Sequence, residues 1–117
     1  MGLAMGVDLG TTFFKAALFS REGRLEGLGR VPVDKQEFQG TCELPVESFW
    51  RLLSQAVEES LRSAGARPER VSSLGYSSQT NSFVLLNRDG ECLTPLILWP
   101  DLRAESLGAK VTDLWLE

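Results

Sequence analysis

Asp8, Gly10, Thr11 and Thr12 lie between two apolar segments, and together they have the chemistry of a turn built for phosphate. Gly10 lacks a β-carbon, so the backbone can turn tightly there and present amide donors, while two threonine hydroxyls can donate to phosphate oxygens. Asp8 supplies the hard oxygen that Mg²⁺ prefers, often through water. The same residue types build ordinary hairpins, so the turn by itself leaves both readings open. Lys15 is either a cation beside the turn or a side chain snorkelling from a strand end. A second polar group, Ser78, Gln79, Thr80 and Asn81, follows an apolar stretch that ends at Tyr76. At the C-terminal end of a parallel strand such residues are ligand candidates, and the alternative is a plain polar loop.

Positioning these groups requires strands. Three are expected, at Leu3–Leu9, Thr12–Phe19 and Leu25–Val33, and their short connections predict an antiparallel meander. In the second strand, Phe13, Lys15, Ala17 and Phe19 share one face and Phe14, Ala16 and Leu18 the other. Both faces are mostly apolar, which predicts a central strand covered on both sides. The polar stretch Asp34–Glu43 reads as a loop. After Pro45, the residues Val46, Phe49, Trp50, Leu53, Val57, Leu61 and Ala64 recur at helical spacing until Gly65. That stripe puts Trp50 in the core, where truncation to alanine is expected to cost about 3 to 5 kcal/mol. Val71–Tyr76 predicts a strand parallel to one of the meander strands. Ser82–Leu86 and Cys92–Trp99 then predict a hairpin around the turn at Asn87–Gly90. Leu107, Val111, Leu114 and Trp115 predict a final helix whose apolar end, with Leu116, expects something further to pack against.

Composition narrows the function classes. A length of 117 residues is that of one domain with a single core. No apolar run is long enough to span a bilayer, so no membrane partner is expected. The net charge of −4, with 12 basic residues scattered among 16 acidic ones, offers no stripe for a nucleic-acid backbone. Histidine is absent, which removes Ser/His and Cys/His nucleophile pairs and every His-containing zinc site. Cys42 and Cys92 have no CxxC partner, and two lone cysteines point to a reduced intracellular setting. The N-terminus shows no signal peptide and Gly6 stands where a myristoylation signal needs Ser or Thr, so a cytoplasmic location is expected.

A meander, a helix and a parallel strand are the opening of a ribonuclease-H-like α/β domain. With the Asp8-to-Thr12 turn, the chain resembles the superfamily of sugar kinases, chaperones and actin-like ATPases. The stretch from Gly75 to Glu105 narrows this, because it is similar to the FGGY carbohydrate kinases. They follow the parallel strand with a Ser-x-Gln loop, an Asp-Gly hairpin and a Trp-x-Asp-x-Arg element, here Ser77–Asn81, Asp89–Gly90, and Trp99, Asp101 and Arg103. The latter element weighs against an actin- or chaperone-like ATPase.

The resemblance implies ATP-dependent phosphorylation of a sugar or polyol hydroxyl. Asp8 is then the catalytic residue that organises Mg²⁺, Gly10, Thr11 and Thr12 cradle the ATP phosphates, and Lys15 is the basic residue beside them. Gln79, Thr80, Asn81, Trp99, Asp101 and Arg103 become the sugar side of one cleft. Thr80 and Asn81 depart from the Met-His of xylulose kinases and the Arg-Glu of glycerol kinases. Alternatively, Trp99 is core and Asp101 with Arg103 is an internal structural pair. Phe13 and Phe14 replace the small hydroxyl residues often found after the two threonines, leaving only backbone contacts to phosphate there. The family's catalytic base, second phosphate loop and adenosine pocket lie beyond the matching region. Residues 1–117 are therefore expected to be the N-terminal part of the first kinase domain, inactive without the second domain. A non-catalytic half-kinase binding module is the competing expectation, and a homodimer is left open.

Overall fold

The computed structural model describes residues 2–108. Apolar alternation along the first third of the chain forms three antiparallel strands, β1 (Leu3–Leu9), β2 (Phe13–Phe19) and β3 (Leu25–Pro32). Next come β4 (Gln36–Phe38), β5 (Thr41–Leu44), helix α1 (Val46–Ala64), β6 (Val71–Ser78) and β7 (Leu96–Ile97). They divide into two compact units. One holds the residues up to Asp34 with Val46–Thr80, the other Lys35–Pro45 with the residues from Asn81 on.

In the first unit the sheet order is β3-β2-β1-β6, with β6 parallel to β1 as expected for a ribonuclease-H-like opening. Leu3, Met5 and Val7 of β1, Phe14, Ala16 and Leu18 of β2, and Leu52, Ala56 and Ser60 of α1 are buried. On the other face of β2, Phe13, Lys15, Ala17 and Phe19 stay half-exposed, so the expectation of cover on both sides holds for one face among the described residues.

The helix stripe differs from its expected position. Its fully buried line is Leu52, Ala56 and Ser60, whereas Trp50 is 59% exposed, packed edge-on to Phe49 at 5.1 Å between ring centroids. The cause lies on β3. A β-carbon on Gly29 would stand 1.9 Å from the Ala56 carbonyl oxygen, and one on Gly27 2.3 Å from that of Ser60. Helix and strand approach so closely that only small residues fit between them, and the bulky Trp50 turns outward. The loss expected on truncating it drops accordingly, because most of its surface never leaves water. Side chains of α1 also protect the outer edge of β3, since the Leu28 and Arg30 N–H groups donate to Ser63 Oγ (3.4 Å) and Glu59 Oε2 (3.2 Å).

The second unit corrects the loop expected at Asp34–Glu43. β4 and β5 form a hairpin through Gln39 and Gly40, both at positive φ (46° and 85°), with Cys42 and Leu44 buried on one side of β5. Two consecutive positive φ angles match the right-handed twist of the flanking strands. β7 pairs antiparallel with β5. The hairpin expected at Ser82–Trp99 is reduced to single bridges, Phe83 to Ile97 and Leu86 to Cys92, around a turn in which Asn87 Oδ1 accepts from the N–H groups of Asp89 and Glu91 (2.9 Å each). Of the expected final helix, Glu105–Leu107 forms a single 3-10 turn, and Val111, Leu114, Trp115 and Leu116 lie outside the described residues. No helix among the described residues is long and apolar enough to cross a membrane.

Candidate functional site

Parallel pairing of β1 with β6 sets Asp8 beside Ser77, and antiparallel pairing with β2 sets it opposite Lys15. Three strands thus bring three polar side chains to one sheet edge, where β1 and β6 both end. Ser77 Oγ donates to Asp8 Oδ1 at 3.3 Å, and Lys15 Nζ lies 3.5 Å from Asp8 Oδ2. The carboxylate is half exposed and so is the lysine. A pair in that setting contributes only about 0.2 to 1 kcal/mol to stability, so fold energetics give little reason for it. As chemistry it is well placed: a carboxylate and a cation open to solvent at the C-terminal ends of parallel strands.

The adjoining turn is tight. The Gly10 N–H donates to the Phe13 carbonyl at 3.1 Å, and a β-carbon on Gly10 would stand 2.8 Å from that same oxygen. The Gly10 amide is therefore used inside the turn instead of being presented outward. The Thr11 hydroxyl donates to Gln79 Oε1 at 3.3 Å, while Thr12 is exposed.

Gln79 belongs to the same cluster. Its side-chain amide donates to the Gly10 carbonyl (3.2 Å) and the Leu9 carbonyl (3.4 Å), and its backbone N–H reaches Leu9 O at 3.3 Å. Thr80 follows, exposed, and Asn81 adopts φ 61°. Asparagine tolerates this left-handed conformation better than other residues with a β-carbon, which gives Asn81 a backbone reason in addition to any ligand contact.

Trp99, Asp101 and Arg103 are built into the second unit. Trp99 is 57% exposed, so it is not core, and its backbone N–H donates to Ser82 Oγ at 2.9 Å. Asp101 is tied down: Oδ2 accepts from the Cys42 N–H at 2.8 Å and from the Arg103 guanidinium at 2.8 Å, and Oδ1 accepts from the Arg103 N–H and Nε at 3.0 Å each. The Arg103 guanidinium, joined by the Cys42 N–H, holds the Asp101 carboxyl well below the usual carboxylate range. Arg103 also pairs with Glu43 at 2.7 Å. The internal pairing weighed from sequence is present in full for Asp101 and Arg103. Burial, with Glu37 alongside, pushes the Cys42 thiol up.

Sequence reasoning named Ser77 only as the start of the Ser-x-Gln loop and not as a partner of Asp8, and it did not single out Glu43 or the Cys42 amide. For Ser77 the signal was the period of two from Gly75, which continues β6 past Tyr76 to Ser78. For Glu43 it was the alternation Thr41-Cys42-Glu43-Leu44 hidden in a stretch read as loop.

The donor set suits one metal. Among the described residues no three His, Cys, Asp or Glu side chains gather to hold an ion. Mg²⁺ needs no such cage: it keeps several waters and is held by one or two carboxylates together with substrate phosphates. Asp8 fits that pattern.

The comparisons with known proteins agree with this architecture. Residues 3–115 match the N-terminal domain of the FGGY family of carbohydrate kinases. The chain is 30% identical over 102 residues to a probable L-xylulose kinase of Haemophilus influenzae, covering 86% of this chain and 21% of that protein. It is 33% identical over 119 residues to a glycerol kinase of Thermus brockianus, covering 100% of this chain and 24% of the relative. A crystal structure of a xylulose kinase from Brucella ovis superposes with a TM-score of 0.82 at 27% identity, over 96% of this chain and 24% of the other. The chain thus spans between a fifth and a quarter of the length of these relatives. It belongs to the FGGY family of carbohydrate kinases, as a match to their N-terminal domain.

Proposed function

We propose that this chain is the N-terminal portion of an ATP-dependent carbohydrate kinase that transfers the γ-phosphoryl group to a hydroxyl of a sugar or polyol. The observation that carries this is the solvent-open Asp8 carboxylate at the ends of β1 and β6, flanked by Lys15 and Ser77 and followed at once by the Gly10 turn. In the transfer, a bond forms between the acceptor oxygen and the γ-phosphorus and the bond to the β–γ bridging oxygen breaks. ADP leaves, and the hydroxyl proton passes to a base outside this chain. Such transfers depend mainly on positioning and charge neutralisation. Mg²⁺, when bound, neutralises charge on the phosphate oxygens.

In this reading Asp8 holds the metal's water shell, Lys15 offsets phosphate charge, and the Gly10-Thr11-Thr12 turn shapes the phosphate cradle. Thr80 and Asn81 contact the sugar, and Asn81 can both donate to and accept from hydroxyls. Trp99 supplies a flat apolar wall, with its exposed face in support. Asp101 serves mainly to hold Arg103. The remaining domain of the enzyme is the chain's partner, and Mg-ATP is the cosubstrate.

The test is a coupled ADP-release assay with a panel of pentoses, ketoses and polyols. It is run on the full-length protein and on residues 1–117. Turnover is expected from the full-length protein only. A full-length protein inert toward every sugar refutes the kinase reading and supports the binding module. Turnover by residues 1–117 alone refutes the need for a second domain.

A further inference from the structure

We infer, on the reading of this chain as part of a carbohydrate kinase, that Gln79 is a positioning residue for the nucleotide, even though its place beside Thr80 and Asn81 assigns it to the sugar. Every hydrogen bond described above for Gln79 ends on Leu9, Gly10 or Thr11. The arrangement uses both ends of a carboxamide. Carbonyl oxygens cannot donate, so the Leu9 and Gly10 carbonyls require the nitrogen, which leaves Oε1 to accept from the Thr11 hydroxyl.

This fork supplies what the turn lacks. Inside the turn the Gly10 N–H bonds the Phe13 carbonyl, but the carbonyls of Leu9 and Gly10 point toward β6 and are gathered by Gln79. Asp8 immediately precedes Leu9, so the clamp also sets the strand end that carries the carboxylate. Distances of 3.2 to 3.4 Å make each bond weak, and their joint effect is to confine residues 9–11 to one conformation. A ligand that must fit that conformation then loses less entropy on binding. Gln79 touches no reacting atom in this scheme, and it acts through the turn.

The chemistry selects the test variants. Gln79→Glu keeps length and shape but replaces a double donor with an acceptor facing two carbonyls. Gln79→Ala removes the fork. Thr11→Val removes the hydroxyl that donates to Oε1 of Gln79. In the full-length enzyme, Gln79→Glu is expected to raise the ATP KM, and the Kd of Mg-ADP measured by calorimetry, by about tenfold or more. Gln79→Ala and Thr11→Val are expected to shift both in the same direction by smaller factors, with the sugar KM within about twofold of wild type.

A rise in sugar KM with the ADP Kd unchanged would overturn the inference. So would equal losses on both sides accompanied by a lowered melting temperature, which would mark Gln79 as structural. Should Gln79→Glu fail to fold, the other two variants decide. If the wild-type protein phosphorylates no sugar, the kinase reading fails, while the ADP titrations still measure the clamp.

Discussion

Gly29→Ala adds one methyl group where α1 crosses β3, and its consequence can be worked from distances. The new β-carbon would stand 1.9 Å from the Ala56 carbonyl oxygen, 2.8 Å from the Ser60 nitrogen and 2.9 Å from the Ala56 carbonyl carbon. Ordinary contact begins near 3.4 Å, so at this level the helix has to retreat by about 1.5 Å. All three obstructing atoms are backbone, and no side-chain rotation relieves them. Lifting α1 loosens the layer in which Phe14, Leu18 and Leu52 are buried. Overpacking costs about 1 to 3 kcal/mol, and a backbone obstruction belongs at the upper end. Reduced freedom of the unfolded chain returns about 0.4 to 1 kcal/mol. A net loss of about 2 kcal/mol lowers the midpoint of a chain this size by about 8 °C. Gly75→Ala is the matched control, because a β-carbon there meets nothing within 4 Å and the strand position demands no positive φ. Thermal and urea unfolding followed by circular dichroism compare the two variants with wild type. Equal midpoints for Gly29→Ala and Gly75→Ala would refute the close-approach argument.

On the proposed kinase reading, Asp8→Asn in the full-length protein is expected to lower kcat by orders of magnitude with little change in sugar affinity, and equal losses in both would mark Asp8 as structural. At Asn81, alanine meets the left-handed φ at a cost of about 1 to 2 kcal/mol whereas glycine does not. Asn81→Gly should therefore raise the sugar KM without lowering the melting temperature, and an unchanged sugar KM would remove Asn81 from the sugar site. The depressed Asp101 pKa means that its ion pair contributes to stability in full above the ordinary carboxylate range. That contribution fades as pH falls below about 4 toward the folded-state value. Asp101→Asn should flatten the acid side of the pH–stability curve, and an unaltered acid limb would show that the pairing is not stabilising.

Much of the frame was legible in the residues themselves. Alternating apolar positions in Leu3–Phe19 and the short polar breaks at Gly10 and at residues 20–24 determined the meander, because strand periodicity and turn chemistry act locally. The turn at Gly10 and the two charged residues flanking it, Asp8 and Lys15, could likewise be picked out, and the structure sets that pair 3.5 Å apart. The direction of β6 followed from the intervening helix.

Tertiary structure decided what local rules cannot reach. Which face of α1 is buried depended on Gly27 and Gly29, on a different element, so a stripe drawn along the helix alone put Trp50 inside. The β4–β5 hairpin is stabilised by pairing with residues more than fifty positions away, through Glu43 with Ile97 and Leu44 with Leu96, and three or four residues carry too little periodicity to reveal it. Gln79 reads as part of a polar loop, and only the parallel register of β6 beside β1 lays its carboxamide across the carbonyls of Leu9 and Gly10. Such contacts join residues distant in sequence, and their geometry exists only once the strands are paired.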